Sequence, residues 1–360
     1  MRQIAILTGM LLVTCTTAQA QVVDTSKGPI EFVGLEQWSP ERIQKELGYK
    51  TPDSLHYCAA ELKKRLGFPD ASVFTFRAES GQYKVITVVE PQHSHRVRYA
   101  DTPTGNLDAP ATWAPVLAAA RLNYGQDFTF ELRQYASAAL RGTSVDKTSS
   151  WMPTLATLRS DEDAATALKL LAGDRDRVQR MAAAAVLINF PARDDAWQGL
   201  VRALRDREDM VIAAAMHALE GLATHRARTV DWEPVAADLR HLLNGTSLFA
   251  TRIVMRALLN TQVPSRVAPL LVGRDGGHIL LAYVRASRAE DRTLAHDLLV
   301  ALSGQDHGYD AQRWRQWVAS LPDDDRQYRP VRASARPSRA AGGPTARRPE
   351  RTFRCAAPAA

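Results

Sequence analysis

The sequence predicts a mainly α-helical protein in which a small α+β domain precedes a longer array of helix pairs. Residues 28–91 have the order strand, helix, helix, strand, strand. Residues 112–321 consist of short Ala- and Leu-rich helical patterns that Asp, Gly, Asn or Pro interrupt. Of the 360 residues, 45% are hydrophobic and 24% are charged, and this globular composition excludes a wholly disordered chain.

The first twenty residues have the pattern of a secretory signal peptide. One arginine precedes an apolar stretch from Ile4 to Val13, and Ala18-Gln19-Ala20 is a small-x-small cleavage site. The sequence therefore predicts export to the periplasm, with a mature chain that begins near Gln21 and contains no membrane-spanning segment. The run from Leu12 to Cys15 is similar to a lipobox, so a lipoprotein anchored through Cys15 remains an alternative.

Residues 28–91 are expected to form one compact unit. The predicted elements are a strand at Ile30–Leu35, a helix from Pro40 to Gly48, a helix that begins at Asp53 and ends at Gly67, and two strands at Ala71–Ala78 and Tyr83–Glu90. The last two strands are joined by a short polar connection that contains a glycine, which favours a hairpin.

This element order, together with the phrase LKKRLGFPDASVFTFRAESGQYKVITVVE, resembles the POTRA domain of bacterial envelope proteins. The resemblance covers about 60 residues. It implies a module that binds extended peptides at a sheet edge, and that family leaves its second strand exposed. The expected partner-binding residues are therefore Val73, Phe74, Thr75, Phe76 and Arg77. The family's role in transport through its own barrel is not carried over, because no later segment alternates as barrel strands do.

Residues 92–111 contain prolines, Gly105 and Asn106, and we expect a linker there. His93 and His95 alternate as they would in a strand. Two histidines without a nearby cysteine or carboxylate pair are too few for a metal site, and we expect a solvated pair.

The helical region repeats with a period of 33 to 39 residues. The pattern that begins at Val178 aligns with those that begin at Val211 and Ala250, and each follows another amphipathic helix. These residues, with acidic residues just before Val178 and Val211, resemble the short bacterial HEAT repeat that phycobilin-lyase-like proteins also contain. The resemblance implies an armadillo-type α-solenoid over residues 112–321. We expect Ala183 and Ala215 at close helix contacts and Gln179 facing water.

The end of the array is marked by two tryptophans. Trp314 and Trp317 lie three residues apart, and we expect them to cover the last repeat. Asp306 and Asp310 precede them, and their expected role is to cap a tight loop rather than to bind an ion with His307.

The search for catalytic chemistry returns no recognisable motif. Phosphate-loop, dinucleotide, Gly-x-Ser-x-Gly, His-Glu-x-x-His and calcium-loop spacings do not occur. The run Asp161-Glu162-Asp163 lies at a predicted helix start, where acids complement the helix dipole. Cys58 lies in an apolar helical pattern and is expected to be a buried, unreactive thiol. The sequence therefore predicts no catalytic, cofactor-binding or metal-ligating residues.

The net charge of +7 comes from the C-terminal residues. Nine arginines and one glutamate lie between 326 and 360, so the rest of the chain is close to neutral. The composition of residues 322–360, rich in Arg, Ala and Pro, predicts a disordered tail. In an exported protein this tail favours contact with an anionic envelope surface, and the scarcity of aromatic residues argues against nucleic acid as a partner.

The expected function is non-catalytic scaffolding in the bacterial cell envelope. Partner proteins of unknown identity would bind the helical-repeat surface and the sheet edge. An enzyme or enzyme accessory related to lyase-type HEAT proteins is the alternative, and a tail-mediated binder of nucleic acid or anionic surfaces is a third.

The signal-peptide pattern makes a direct prediction about the mature protein. N-terminal sequencing is expected to find Gln21 as the first residue, and cell fractionation is expected to place the protein beyond the inner membrane. An intact Met1 in the cytoplasm would contradict export, and a lipidated Cys15 would show a membrane-anchored form.

Overall fold

The computed structural model describes residues 21–78, 81–141, 149–223, 228–273 and 276–322. These residues form a mainly helical protein with one four-stranded sheet near the N-terminus. The predicted mainly α class and the small strand-containing region are thus confirmed. The predicted signal peptide with Cys15, and the arginine-rich residues 326–360, lie outside the described residues.

The sheet contains one strand that the sequence analysis missed. The strands are β1 (Gln21–Val23), β2 (Ile30–Val33), β3 (Asp70–Ala78) and β4 (Gly81–Val89). Their order in the sheet is β1-β2-β4-β3, with β2 and β4 parallel and the other two pairs antiparallel. β3 is therefore an edge strand, and β4 is central.

Two helices cover one face of this sheet: α1 (Pro40–Glu46) and α2 (Cys58–Leu66). The Ser39 side chain caps α1 by accepting a hydrogen bond from the Arg42 N–H. The predicted start of α2 at Asp53 is wrong, since residues 52–57 form a 3₁₀ segment. The Asp53 carboxylate accepts hydrogen bonds from the Ser26 backbone N–H and hydroxyl, and it makes no cap on its own helix.

The described residues contain thirteen further helices. They are α3 (Ala114–Arg121), α4 (Gln126–Arg141), α5 (Met152–Thr157), α6 (Asp161–Gly173), α7 (Arg177–Val186), α8 (Asp194–Ala203), α9 (Asp209–Leu222), α10 (Ala236–Asn244), α11 (Thr251–Asn260), α12 (Ala268–Leu271), α13 (His278–Tyr283), α14 (Ala289–Ser303) and α15 (Ala311–Ser320).

Helix pairs pack side by side through small residues. α6 packs on α7, α8 on α9, and α10 on α11, while α7, α9, α11 and α14 contact one another in succession. We call these four helices the central row. Ala183 and Ala215 are fully buried in this row. Alanine at these positions allows the helix backbones to approach closely.

A buried ion pair joins α7 to the turn between α8 and α9. The Arg180 guanidinium donates to both carboxylate oxygens of Asp206, at 2.8 and 3.0 Å, and it also donates to the backbone carbonyls of Asp174 and Arg175. Both side chains are almost completely buried. Such a bidentate pair satisfies its donors and acceptors away from water.

The segment expected to be a linker is bonded to the helices along much of its length. The Ala100 N–H donates to the Arg205 carbonyl at 2.7 Å, and the Leu107 N–H donates to the Asp174 carboxylate at 2.6 Å. Gln179 binds this segment too: its amide accepts from the Ala109 N–H and donates to the Leu107 carbonyl. The expectation that Gln179 faces water is therefore wrong, because the segment lies over it.

The sheet rests on the helices through buried polar contacts. Glu31 of β2 is fully buried and accepts hydrogen bonds from the backbone N–H groups of Ser287 and Arg288, which precede α14. The Thr87 hydroxyl lies 2.7 Å from the Tyr283 hydroxyl of α13. Gly245 has a φ of 132° and contacts Val89, so a side chain there would collide with the sheet.

The last described helix, α15, is capped and packed through Asp310 and two tryptophans. The Asp310 carboxylate caps α15, and Trp314 is fully buried, with its indole N–H donating to the Gly308 carbonyl at 2.7 Å. Trp317 packs edge-on against Trp314.

Among the described helices, none combines the length and the apolar character that a membrane span requires.

The packing of the central row generates a stability prediction. Ala183→Leu and Ala215→Leu are each expected to lower the free energy of unfolding by about 1–3 kcal/mol, because a larger side chain overpacks a helix contact. Ala319→Leu, at an exposed position of α15, is the matched control and is expected to change stability little. Chemical denaturation measures all three, and equal small shifts would contradict the close packing.

Candidate functional site

A groove lies over α9 between the sheet and α4. α4 packs on α9, while the sheet packs on α11, on α13 and on the start of α14. Part of α9 between α4 and the sheet remains accessible to solvent. We call this space the β3–α9 groove; its volume is about 500 Å³.

The groove has two walls and a floor. One wall is formed by α2, β3 and Tyr99, and the other by α4, while α9 and the turn before α11 form the floor. The lining residues are Ala59, Ala60, Lys63, Asp70, Ala71, Ser72, Val73, Tyr99, Thr129, Phe130, Arg133, Asp209, Met210, Ile212, Ala213, His217, Ser247 and Phe249. Ten of these eighteen residues are apolar or aromatic and eight are polar or charged, so the groove offers both apolar and polar contacts.

The free edge of β3 borders this groove. Among the described residues β3 pairs only with β4. On β4, the Lys84 N–H donates to the Pro29 carbonyl, so the backbone groups of Lys84 point toward β2. Backbone groups alternate in direction along a strand, so those of Val85 and Thr87 point the opposite way. They face their β3 partners, Phe74 and Ser72. The intervening β3 residues, such as Val73, then direct their backbone N–H and C=O groups away from the sheet.

The next β3 residues show where the free edge begins. The outward N–H of Ala71 is taken by the Asp70 carboxylate at 2.8 Å. From Val73 onward, through Thr75 and Arg77, the outward backbone groups have no backbone partner among the described residues. An edge of this kind offers a ladder of donors and acceptors to another chain.

Three of the eight large apolar or aromatic side chains that are exposed among the described residues line the groove. Val73 is 37% exposed, Phe249 is 40% exposed and Phe130 is 61% exposed, and they come from β3, the turn before α11 and α4 respectively. Large side chains at such exposure cost free energy in water, so three of them around one groove indicate an interaction surface.

Two buried hydroxyls in the groove lack hydrogen-bond partners. Ser72 Oγ and Ser247 Oγ belong to residues that are 7% and 3% exposed, and neither has a partner among the described residues. His217, nearby on α9, has its Nδ1 3.6 Å from a Glu220 carboxylate oxygen, and this pairing lowers the pKa of Glu220. Buried polar groups in proteins are usually paired, and these two hydroxyls, which have almost no accessible surface, are exceptions within the wall and floor of the groove.

Asp70 organises the end of the groove nearest the helices. Its carboxylate accepts from the Leu248 N–H at 3.0 Å and from the Tyr99 hydroxyl at 3.1 Å, joining three parts of the chain. Burial raises the pKa of Asp70, although these donors oppose the shift. Burial and the neighbouring Asp70 carboxylate also raise the pKa of Tyr99.

The structure places the five predicted site residues on two faces of β3. Val73, Thr75 and Arg77 are exposed, whereas Phe74 and Phe76 are partly buried against the helices. Phe74 stacks on Phe249 with ring centroids 5.5 Å apart. Of the five residues, Val73 alone lines the groove.

Phe76 is held by cationic side chains of the helices. The guanidinium carbon of Arg288 lies 3.9 Å from the Phe76 ring centroid, and that of Arg252 lies 4.7 Å from it. Both arginines are paired with the buried carboxylate of Asp291. The face of β3 that carries Phe74 and Phe76 therefore packs the sheet against the helices. The backbone edge of β3 is not used in this packing.

The sequence analysis missed the α4, α9 and Ser247 sides of the groove. Phe130 carried the clearest signal: it is a large apolar residue placed next to Thr129 on a helix whose buried stripe runs through Phe128 and Leu132. An exposed phenylalanine beside a complete apolar stripe indicates a second contact surface.

The structure also shows the surroundings of Cys58 and His93, two residues that the sequence pattern singled out. The Cys58 thiol is buried, which raises its pKa to about 12, so the expectation of a buried cysteine is confirmed. His93 is not solvated as expected, because its Nε2 lies 3.0 Å from a Glu36 carboxylate oxygen. Within the described part of the chain, no group of three or more His, Cys, Asp or Glu residues is arranged to hold a metal ion.

The burial of Asp70 predicts a specific pH dependence. Because the pKa of Asp70 is raised in the folded protein, its contribution to stability is largest below about pH 4 and is lost as the pH rises through the raised value. Asp70→Asn removes this titration, so the melting temperature is expected to fall less between pH 4 and pH 7 in this variant than in the wild type.

Asp209→Asn is the matched control for this experiment, because Asp209 is an exposed carboxylate that lines the same groove. The change in its melting temperature between pH 4 and pH 7 is expected to equal that of the wild type, although the variant melts at a lower temperature because Asp209 lies in the first turn of α9. Parallel melting curves for the Asp70→Asn variant and the wild type would contradict the assignment of a raised pKa to Asp70.

Comparisons with family models, with curated proteins and with solved structures found no match to this chain.

Proposed function

We propose that this protein is a non-catalytic scaffold of the bacterial cell envelope that binds a partner protein at the β3–α9 groove. The observation that carries the proposal is the unpaired edge of β3 beside an apolar groove, opposite the wall that α4 forms. A strand edge and a helix on either side of a groove are a recurring arrangement for protein recognition.

The architecture supports a scaffold made of two modules. The succession α6–α7, α8–α9 and α10–α11, with a 33-to-39-residue period, supports a short HEAT-like α-solenoid. The sheet order, with its second predicted strand at the edge, supports the POTRA-like interpretation of the N-terminal module. Armadillo-type solenoids and POTRA modules both serve as binding platforms, and here the two would form one groove.

The location of the scaffold is proposed from the sequence alone. The signal-peptide pattern of residues 1–20 supports export, either as a periplasmic protein or as a lipoprotein through Cys15. The arginine-rich residues 326–360 support an accessory contact with anionic lipid headgroups or acidic proteins.

Site-directed photocrosslinking tests the proposed binding surface. A photoreactive phenylalanine analogue replaces Phe249 in the groove or, as a control, Tyr57, which is 67% exposed and does not line the groove. In cells that produce the full chain, position 249 is expected to give a discrete protein adduct, and position 57 is expected to give none.

A matched pair of variants then tests whether the adduct depends on the groove. Phe130→Lys places a charge on the groove wall, whereas Leu122→Lys changes a residue of similar exposure outside it. We expect Phe130→Lys to weaken the adduct by about tenfold or more and Leu122→Lys to leave it unchanged. The absence of any adduct at position 249, or equal adducts at positions 249 and 57, would contradict the proposed function.

A further inference from the structure

We infer that a pocket between α13, α15 and the 3₁₀ segment Pro91–Arg96 binds a small phosphate monoester through Arg96 and Arg315. We call this space the Arg96–Arg315 pocket; its volume is about 430 Å³. It shares no lining residue with the β3–α9 groove. The inference therefore goes beyond the proposed function and stands or falls separately from it.

Distant parts of the chain bring the walls of the pocket together. α13 packs on α15. The 3₁₀ segment is fixed beside α13 through the Glu36 carboxylate, which lies 3.0 Å from His93 Nε2 and 3.3 Å from His278 Nδ1. Arg96 then lines the pocket from the 3₁₀ segment, and Arg315 lines it from α15.

The polar side chains that line the pocket are all basic. They are those of His95, Arg96, His278 and Arg315, and among the described residues no carboxylate lines this space. Arg315 is exposed on α15 and makes no ion pair with a carboxylate of the described part of the chain. Its guanidinium is therefore available to an anionic ligand.

The pKa values around the pocket reflect burial together with positive charge that the protein does not balance. Burial lowers the pKa of His278 to about 4, and the Arg96 guanidinium adds to this shift. Burial also lowers the pKa of Arg285, and Arg315 adds to that shift. Glu36 opposes both shifts, but its carboxylate is already paired with two imidazoles. A bound anion would offset the remaining repulsion.

The two guanidinium groups match a phosphate monoester better than a carboxylate. A phosphate monoester carries a charge of about −1.5 to −2 at pH 7, whereas a carboxylate carries a single negative charge. The planar fork of arginine donates two parallel hydrogen bonds to phosphate oxygens. Because Arg96 and Arg315 belong to different elements that line one space, they have the arrangement of a two-sided phosphate clamp.

The size of the pocket and the rest of its lining indicate that the phosphate carries an organic group. Small-molecule sites in proteins usually have volumes of about 300–1,000 Å³, and this pocket lies within that range. Leu281 and Val318 line it beside the basic residues and are nearly buried. A short organic group would contact these two side chains, and a bare inorganic ion would leave this space unfilled.

Isothermal titration calorimetry of the full chain with glycerol 3-phosphate tests the site. Arg315→Gln removes one guanidinium from the pocket. Arg313→Gln is the matched control, because Arg313 is exposed on the same helix, carries the same charge and does not line the pocket. Arg315→Gln is expected to weaken binding at least about tenfold, and Arg313→Gln is expected to bind as the wild type does. Residues 326–360 are present in every protein, so their contribution cancels.

Glycerate tests whether the site prefers a phosphate, because it has a similar organic part and a single carboxylate. The wild type is expected to bind glycerol 3-phosphate at least about tenfold more tightly than glycerate. Arg315→Gln is expected to lose most of this preference, and Arg313→Gln is expected to keep it.

Flotation with vesicles of phosphatidylcholine and phosphatidic acid distinguishes two sources of the phosphate monoester. Vesicle binding that falls in Arg315→Gln but not in Arg313→Gln would support the inference with a lipid headgroup as the source. Dependence on Arg315 in calorimetry alone would support it with a soluble ester as the source.

Thermal melting first checks that both variants are folded. Equal behaviour of Arg315→Gln and Arg313→Gln in calorimetry and in flotation would then overturn the site. Equal affinity of the wild type for glycerol 3-phosphate and glycerate would overturn the assignment of a phosphate ligand. Failure of the wild type to bind both glycerol 3-phosphate and the vesicles would overturn the inference as a whole.

Discussion

The arrangement of this protein depends on buried carboxylates of the sheet that bind backbone N–H groups of the helices. Glu31 accepts from the residues before α14, and Asp70 accepts from Leu248 before α11. Hydrogen bonds to charged groups each contribute about 1.5–3 kcal/mol, and the loss of either carboxylate would leave buried donors unpaired. Because these two contacts lie on different strands, the sheet is held in orientation as well as in position.

Buried charged groups also fix the arrangement of the helices relative to one another. The Arg180–Asp206 pair and the Arg252–Asp291 pair are largely buried, and each joins helices that belong to different pairs. Apolar packing of Ala- and Leu-rich helices is not directional, so it tolerates small slips between neighbours. A buried ion pair does not tolerate such slips, because a displaced charge would be left without its partner. These pairs therefore fix the register that apolar packing leaves open.

The groove is a consequence of this docking. α4 covers one part of the central row and the sheet covers another, and the accessible part of α9 lies between them. Each side supplies something that the other lacks: β3 supplies a backbone edge, α4 supplies Phe130 and Arg133, and the turn before α11 supplies Ser247 and Phe249. This mixture of apolar, polar and backbone groups supports the proposed binding of a partner protein. Neither the sheet alone nor the helices alone would form it.

The sequence by itself determined the classes of most secondary-structure elements, and the edge position of β3 was implied by the resemblance to the POTRA domain. Leu62, Leu66 and Gly67 are local signals of α2, and the β-branched run before Glu90 is a local signal of β4, because periodicity and capping act over a few residues. Gln179, His93 and Asp53 were interpreted wrongly, since each binds a segment that is distant in the chain. The β3–α9 groove depends on such distant contacts throughout: Ser72 and Ser247 are 175 positions apart. Only the tertiary structure brings them together, because docking of the sheet is decided by buried groups whose partners no local pattern identifies.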